Sequence, residues 1–315
     1  MSERIRPRDL AFLTGESATA PLHNATIEIF DPGDSGFDYD RLVALIEDRI
    51  SFVPRYRQRI RTVPGHLATP VWTDDEQFDV AYHVRRSALP RPGTNEQLLE
   101  LVSRVVSRPL DRSRPLWEIY CVEGLSEGRV ALLYKTHQAL VDGVHTVDLG
   151  QLLLDKSPEP KQLDPDDWTP ARTPSPVGLV VDAVKDSLSE PSTVVDTAVV
   201  TSSAALRNAR RAGKRFRRVA AALSGRSPER TTPITGPLSQ QRRVVTVDTT
   251  LAAHQQVREV HGGTVNDVIL TVVAGGLRNW LMTRAESMAG LRRIHAVVPV
   301  SVIDEELEAT SLGSQ

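Results

Sequence analysis

The sequence predicts an α/β (α+β) protein with mixed sheets, arranged as two domain-like parts. Three observations carry that expectation. Strand-like and helix-like stretches alternate through residues 1–155. Two strand-like runs flank Gly124–Gly128, so WEIYCVEGLSEGRVALLYKTHQ reads as a hairpin whose second arm, Val130–Tyr134, is apolar enough to be central. A chain of 315 residues also exceeds one ordinary core, and a proline- and acid-rich stretch at 156–176 interrupts it.

HNATIEIF alternates apolar and polar residues and stops at Asp31-Pro32-Gly33, which predicts a strand closed by a turn. In YDRLVALIEDRISFVPRYRQRI, Leu42, Leu45, Ile46 and Ile50 share one helical face. PVWTDDEQFDV reads as a loop entering a strand at Val80–Val84. TNEQLLELVSRVVSRPL predicts an amphipathic helix with Thr94 or Asn95 as its N-cap. Beyond the connector, 177–223 reads as helical, with Val177, Val180, Val181 and Val184 on one face and a strongly basic later part. RRVVTVDT predicts a strand, AHQQVREVHG and NDVILTVVAGGLRNWLMTRA predict helices, and RRIHAVVPVSV predicts a further strand. The expected division is a first domain at 1–155, a connector and basic crossover at 156–235, and the beginning of an incomplete second domain at 236–315.

With 38 basic and 40 acidic side chains, the net charge of −2 gives no argument for nucleic acid as a partner. The lone Cys121 excludes an internal disulfide and fits a reducing compartment. MSERIRPRDLAFLTG lacks the apolar core of a signal peptide, and no run of about 18 apolar residues exists. The expected location is cytoplasmic, with peripheral contact to a membrane left open. The basic stretch Arg207–Arg218 suits either an anionic lipid face or a solvated surface.

The sharpest local stretch is His137–Gly143, HQALVDG, where a smooth apolar strand meets one histidine. An imidazole there can accept a proton from an alcohol, because its ordinary pKa is close to neutral. Asp142 would hold the turn, and Gly143 would let backbone approach where a side chain does not fit. Equally, Asp142 is a fitting helix N-cap and His137 a satisfied histidine at a strand end. In RPLW, Pro115 sets the strand's starting angle, and Trp117 can bury its ring while keeping its N–H paired. Asn266-Asp267 opens a helix, with Thr264 as N-cap and Asp267 at the third position, a capping arrangement. Gly275 and Gly276 suggest close packing of that helix, and Trp280 with Leu281 reads as core. There is no phosphate loop, GxGxxG, CxxC or HExxH, so neither a metal nor a nucleotide cofactor is expected.

Taken together, PRDLAFLTGESATAPLHNATIEIFDP, PVWTDDEQFDVAYHVR, RPLDRSRPLWEIYCVEGL, KTHQALVDGVHTVDL, GPLSQQRRVV, GTVNDVILTVVAGGLRNWL and VVPVSV resemble, in order, the bacterial wax ester synthase/acyl-CoA:diacylglycerol acyltransferase family. The resemblance implies a chloramphenicol-acetyltransferase-like architecture of two α/β domains with the site in a channel between them. It implies acyl transfer from a long-chain acyl-CoA, a co-substrate rather than a bound cofactor, to the hydroxyl of a diacylglycerol or fatty alcohol. The family's HHxxxDG hallmark falls on His137 to Gly143, with Gln138 at the position of the second histidine, the family's base. Glutamine does not carry a proton near neutral pH. By the same resemblance, Asp142 and Gly143 shape the site, and Pro115, Leu116, Trp117, Asn266 and Asp267 are its other motif or channel residues. Ile303 stands where the family usually has arginine after PVSV, and the LGN stretch corresponds to Leu312-Gly313-Ser314. Also implied are a peripheral membrane or lipid-inclusion surface and a complementing chain that would complete the second domain. With the base replaced, a non-catalytic lipid-binding protein of the same fold is the alternative.

Overall fold

The computed structural model describes residues 3–66, 68–141, 149–155, 168–189 and 238–283. The described residues up to 189, with 238–246, form one unit, and 247–283 belong to another. Asp142, Gly143, the basic stretch from Arg207, the strand expected at RRIHAVVPVSV, Ile303 and Leu312–Ser314 lie outside the described residues.

Two sheets organise the first unit. The smaller is antiparallel and joins β1 (Glu3–Arg4), β4 (Val71–Asp74) and β3 (Gln58–Arg61) in that order. The larger has four strands in the order β2 (His23–Phe30), β7 (Val130–His137), β6 (Trp117–Glu123) and β5 (Val84–Ala88). β7 is antiparallel to both neighbours, and β5 runs parallel to β6, so the sheet is mixed. The expected hairpin is β6–β7, and every residue of β7 is buried. A strand covered on both faces needs apolar residues at odd and even positions alike, which VALLY supplies. Val130, Leu132 and Tyr134 join Trp117, Ile119 and Cys121 in one cluster. Ala131 and Leu133 join Val122 in a second cluster on the opposite face.

Helices cover both faces. α1 (Pro7–Gly15), α2 (Tyr39–Ile50) and α6 (Leu149–Leu153) pack on the first cluster through Leu13, Leu42, Ile46, Ile50 and Leu149. α4 (Asn95–Val106) packs on the second through Leu98 and Val102. α2 starts where the Asp38 carboxylate accepts the N–H groups of Asp40 and Arg41 at 2.9 and 3.1 Å. Near its other end the buried Arg49 donates to both carboxylate oxygens of Asp155 at 3.1 and 2.5 Å, just past α6. For α4, Thr94 is the N-cap: its hydroxyl accepts the Gln97 N–H at 3.3 Å, and Gln97 Oε1 accepts the Thr94 N–H at 2.8 Å. Such a reciprocal cap is worth about 1 kcal/mol.

Several expectations are corrected. Val80–His83 is a short helix, α3, and the strand begins only at Val84. The cause is local: the Asp79 carboxylate accepts the Ala81 N–H at 2.9 Å and closes a helical turn. PVWTDDEQFDV holds β4, and the helix expected through RYRQRI stops at Ile50, leaving Gln58–Arg61 as β3. Both strands are four residues long, too short for periodicity to declare them. α7 (Pro176–Ser189) is helical, but its buried contact is Leu179 at 2 % exposure, whereas Val177 is 72 % exposed. RRVVTVDT forms no strand; instead the Arg242 and Val244 N–H groups donate to the Ser107 and Ser103 hydroxyls of α4, each at 2.8 Å.

The second unit contains α8 (Leu251–His261) and α9 (Val265–Thr283). α8 is capped by the Thr250 hydroxyl, which accepts the Ala253 N–H at 3.3 Å. Thr264 and Asp267 cap α9 reciprocally at 2.8 and 3.2 Å, as the sequence predicts. Gly275 and Gly276, expected at a close contact, face open space. Of the pair expected as core, Leu281 is buried and Trp280 is 40 % exposed. Among the described residues no single helix is long and apolar enough to cross a membrane.

Candidate active site

β7 ends at His137, and α5 (Gln138–Val141) begins at once. Two backbone hydrogen bonds make this sharp change possible. The His137 N–H donates to the Leu116 carbonyl, and the Gln138 N–H to the Leu22 carbonyl, both at 3.0 Å. The RPLW stretch therefore holds the histidine strand directly. His137 Nδ1 accepts the Ala139 N–H at 3.0 Å, so the ring itself caps the α5 turn. In the neutral ring the proton then sits on Nε2.

Nε2 faces Glu16 Oε2 at 3.6 Å, beyond hydrogen-bond length but close enough for electrostatic attraction. Glu16 accepts from Arg112 Nε and Nη2 at 3.0 and 2.5 Å and from the Leu22 N–H at 3.2 Å. Burial alone would raise the Glu16 pKa; the Arg112 and Leu22 hydrogen bonds and the attraction of His137 and Arg112 outweigh it, and the carboxyl sits below its ordinary value. Burial pushes the His137 ring below its ordinary value, and Arg112 adds to this while Glu16 opposes it. The ring is 0 % exposed. The expectation that this imidazole opens onto a channel is therefore corrected: one nitrogen caps α5, the other points at Glu16, and neither is accessible.

The neighbouring histidine and lysine are also committed. His23 lies opposite His137 across β2–β7, and its Nε2 donates to the Val106 carbonyl at 3.0 Å. Burial, with Lys135 nearby, pushes the His23 pKa down to about 4. Lys135 is buried and donates to the Val105 and Arg108 carbonyls at 3.2 and 2.5 Å. These carbonyls are at the C-terminal end of α4, where helix carbonyls lack intrahelical partners and positive charge is favoured.

Gln138 is half-buried at the first position of α5. Pro115 is buried, and Leu116 and Trp117 are 0 % exposed. Trp117 Nε1 donates to the Tyr56 carbonyl at 2.7 Å, and its ring stacks on His83 at 4.5 Å, so the tryptophan is core with its polar edge paired, as expected. Asp267 is engaged in capping and Asn266 is exposed, both in the second unit. Within the first unit, the structure brings together His137, Gln138, Leu116 and, unanticipated, Glu16 and Arg112. A cavity of about 410 Å³ adjoins α5 at Ala139 and Leu140, and its wall carries both arginines (Arg6, Arg55) and carboxylates (Glu3, Asp9). Among the described residues no cluster could hold a metal ion.

Residues 5–269 match the family model described as "Wax ester synthase/diacylglycerol acyltransferase catalytic domain". The "Probable diacyglycerol O-acyltransferase tgs3" of Mycobacterium tuberculosis is 38 % identical over 265 residues, covering 82 % of this chain and 96 % of that protein. The "Probable diacyglycerol O-acyltransferase tgs2" of the same organism is 35 % identical over 321 aligned positions, covering 96 % of this chain and 65 % of its own length. Among solved structures, the wax ester synthase/diacylglycerol acyltransferase from Marinobacter aquaeolei VT8 is similar with a TM-score of 0.59 and 25 % identity, over 90 % of this chain and 61 % of that one.

Proposed function

The chain belongs to the wax ester synthase/diacylglycerol acyltransferase family, and from that premise we propose that it is an acyl-CoA-dependent O-acyltransferase site of reduced competence. The acceptor is a diacylglycerol or a fatty alcohol. In the reaction, the acceptor hydroxyl oxygen attacks the thioester carbonyl, the C–O bond forms and the C–S bond breaks. The hydroxyl proton leaves through a base and ends on the CoA thiol. One observation carries the reading: the residue that follows the buried His137, at the turn from β7 into α5, is Gln138. An amide there can orient an acceptor hydroxyl by hydrogen bonds but cannot take its proton. His137 does not substitute for it, because the ring is sealed inside the fold and its one accepting nitrogen, Nδ1, already takes the Ala139 N–H.

Loss of a general base costs about two to four powers of ten in rate. Gln138→His is therefore expected to raise acyl transfer from labelled long-chain acyl-CoA by about a hundredfold or more. His137→Ala is expected to lower it by loosening α5 rather than by removing a proton acceptor. An unchanged rate in a folded Gln138→His protein would sink the lost-base account. The same glutamine favours a second reading, a non-catalytic lipid-binding protein. Acyl-CoA binding without turnover in both proteins selects it. Because the ester products are apolar, a cytoplasmic location with peripheral contact to a membrane or lipid inclusion belongs to the proposal. Co-flotation with vesicles tests it.

A further inference from the structure

We infer that Glu16 is a positioning residue of this site: with Arg112 it fixes the His137 ring in one tautomer and orientation, and so holds the α5 turn that carries Gln138. The inference deepens the acyl-transfer reading and rests on it.

The argument starts from hydrogen-bond inventory. A ring nitrogen that accepts the Ala139 N–H carries a lone pair, so the proton is on the other nitrogen. That nitrogen makes no hydrogen bond among the described residues, and Glu16 Oε2 faces it at 3.6 Å, within electrostatic reach. If the ring took the opposite tautomer, its Nδ1–H would face the Ala139 N–H, two donors nose to nose. The carboxylate adds to that preference by facing the nitrogen that holds the proton. It is only 5 % exposed and is held from the other side by two hydrogen bonds from Arg112. Arg112 Nη2 also donates to the Leu13 carbonyl at 2.6 Å, which ties the guanidinium to the end of α1. Glu16 Oε1 takes the Leu22 N–H, and the Leu22 carbonyl takes the Gln138 N–H. Glu16 thus reaches the base position by two routes, through the ring of His137 and through the backbone of Leu22. Because its side chain is buried, it acts through these groups and not on a substrate directly. Its task is the one that outer carboxylates perform for functional histidines generally: fixing which nitrogen holds the proton and where the ring points.

The test uses the full chain labelled with ¹⁵N-histidine, with His137→Ala to assign the signal. Ring-detected NMR is expected to find His137 as a single neutral Nε2–H tautomer. Glu16→Ala is expected to shift the Nε2 signal and raise a minor Nδ1–H tautomer against the opposition of the Ala139 N–H, and Glu16→Gln, which keeps shape and an acceptor for Leu22, to do the same in smaller degree. Should Glu16→Ala not fold, Glu16→Gln decides alone. In a Gln138→His background, Glu16→Gln is expected to lower kcat about tenfold while KM moves less than about twofold, and Glu16→Asp to recover part of the loss. A native-like His137 signal in both Glu16 variants overturns the inference. So does an unchanged kcat in the Glu16→Gln, Gln138→His protein. If Gln138→His esterifies no alcohol while the tautomer shift appears, the acyl-transfer reading fails and the assignment of the Glu16–His137 contact stands.

Discussion

The two units obtain their helices by different means. In the sheet unit, α4 is capped at its start by Thr94 and Gln97, supported on its inner face by Leu98 and Val102, and met at its end by Lys135 and His23. In the other unit, α8 and α9 have equally good N-caps, yet Val260 is 73 % exposed and Val272 57 %. Caps are local and follow from residues three apart in the chain. Burial is not local, and a helix can be well begun while much of its apolar side stays exposed among the described residues. The contrast teaches that only the first unit's helices are held by the same contacts that build a candidate site.

Breaking the long-range contacts of the first unit should therefore cost most. Arg49→Ala removes the guanidinium that meets Asp155 beside α6 and is expected to lower stability by about 3 kcal/mol in denaturant unfolding, since one member of a mostly buried pair is lost. A cost below about 1 kcal/mol would mean the pair is solvated in solution. Leu133→Ala, at a fully buried position of β7, is expected to cost about 2–5 kcal/mol.

A pH titration sharpens the comparison further. His23 has its pKa pushed down to about 4, so the unfolded chain binds a proton more readily than the folded one. Stability of the sheet unit is then full above about pH 6.5 and falls as pH drops towards 4, by about 1–3 kcal/mol after allowance for partial exposure. His23→Leu should flatten that slope, and an unchanged slope would remove His23 from the account. The smallest effect is expected in the second unit, where Val272→Ala should change stability by no more than about 0.5 kcal/mol. A loss as large as that of Leu133→Ala would show that this face is covered in solution, and the contrast between the units would disappear.

The hairpin, the caps at Thr94 and Thr264, and the buried pairing of Trp117 were legible because each is written within a few residues. VALLY declares a strand covered on both faces, and TNEQ declares a helix start. The strands β3 and β4 were not legible, because QRIR and VWTD are too short and too polar for a period to emerge. α7 misled for another reason: its valines trace one face, but what sits beneath a helix selects the buried face, and here Leu179 meets Val63 and Val71.

By itself, the sequence determined the α/β class and the central position of the β7 strand. Those are properties of residue type and near spacing. Only the tertiary structure decided that His137 is sealed and that its partner is Glu16, because positions 16, 112 and 137 share no spacing rule. They meet when the end of α1, the stretch before β6 and the end of β7 converge. A side chain's protonation state depends on such neighbours, which folding supplies and the order of residues does not spell out.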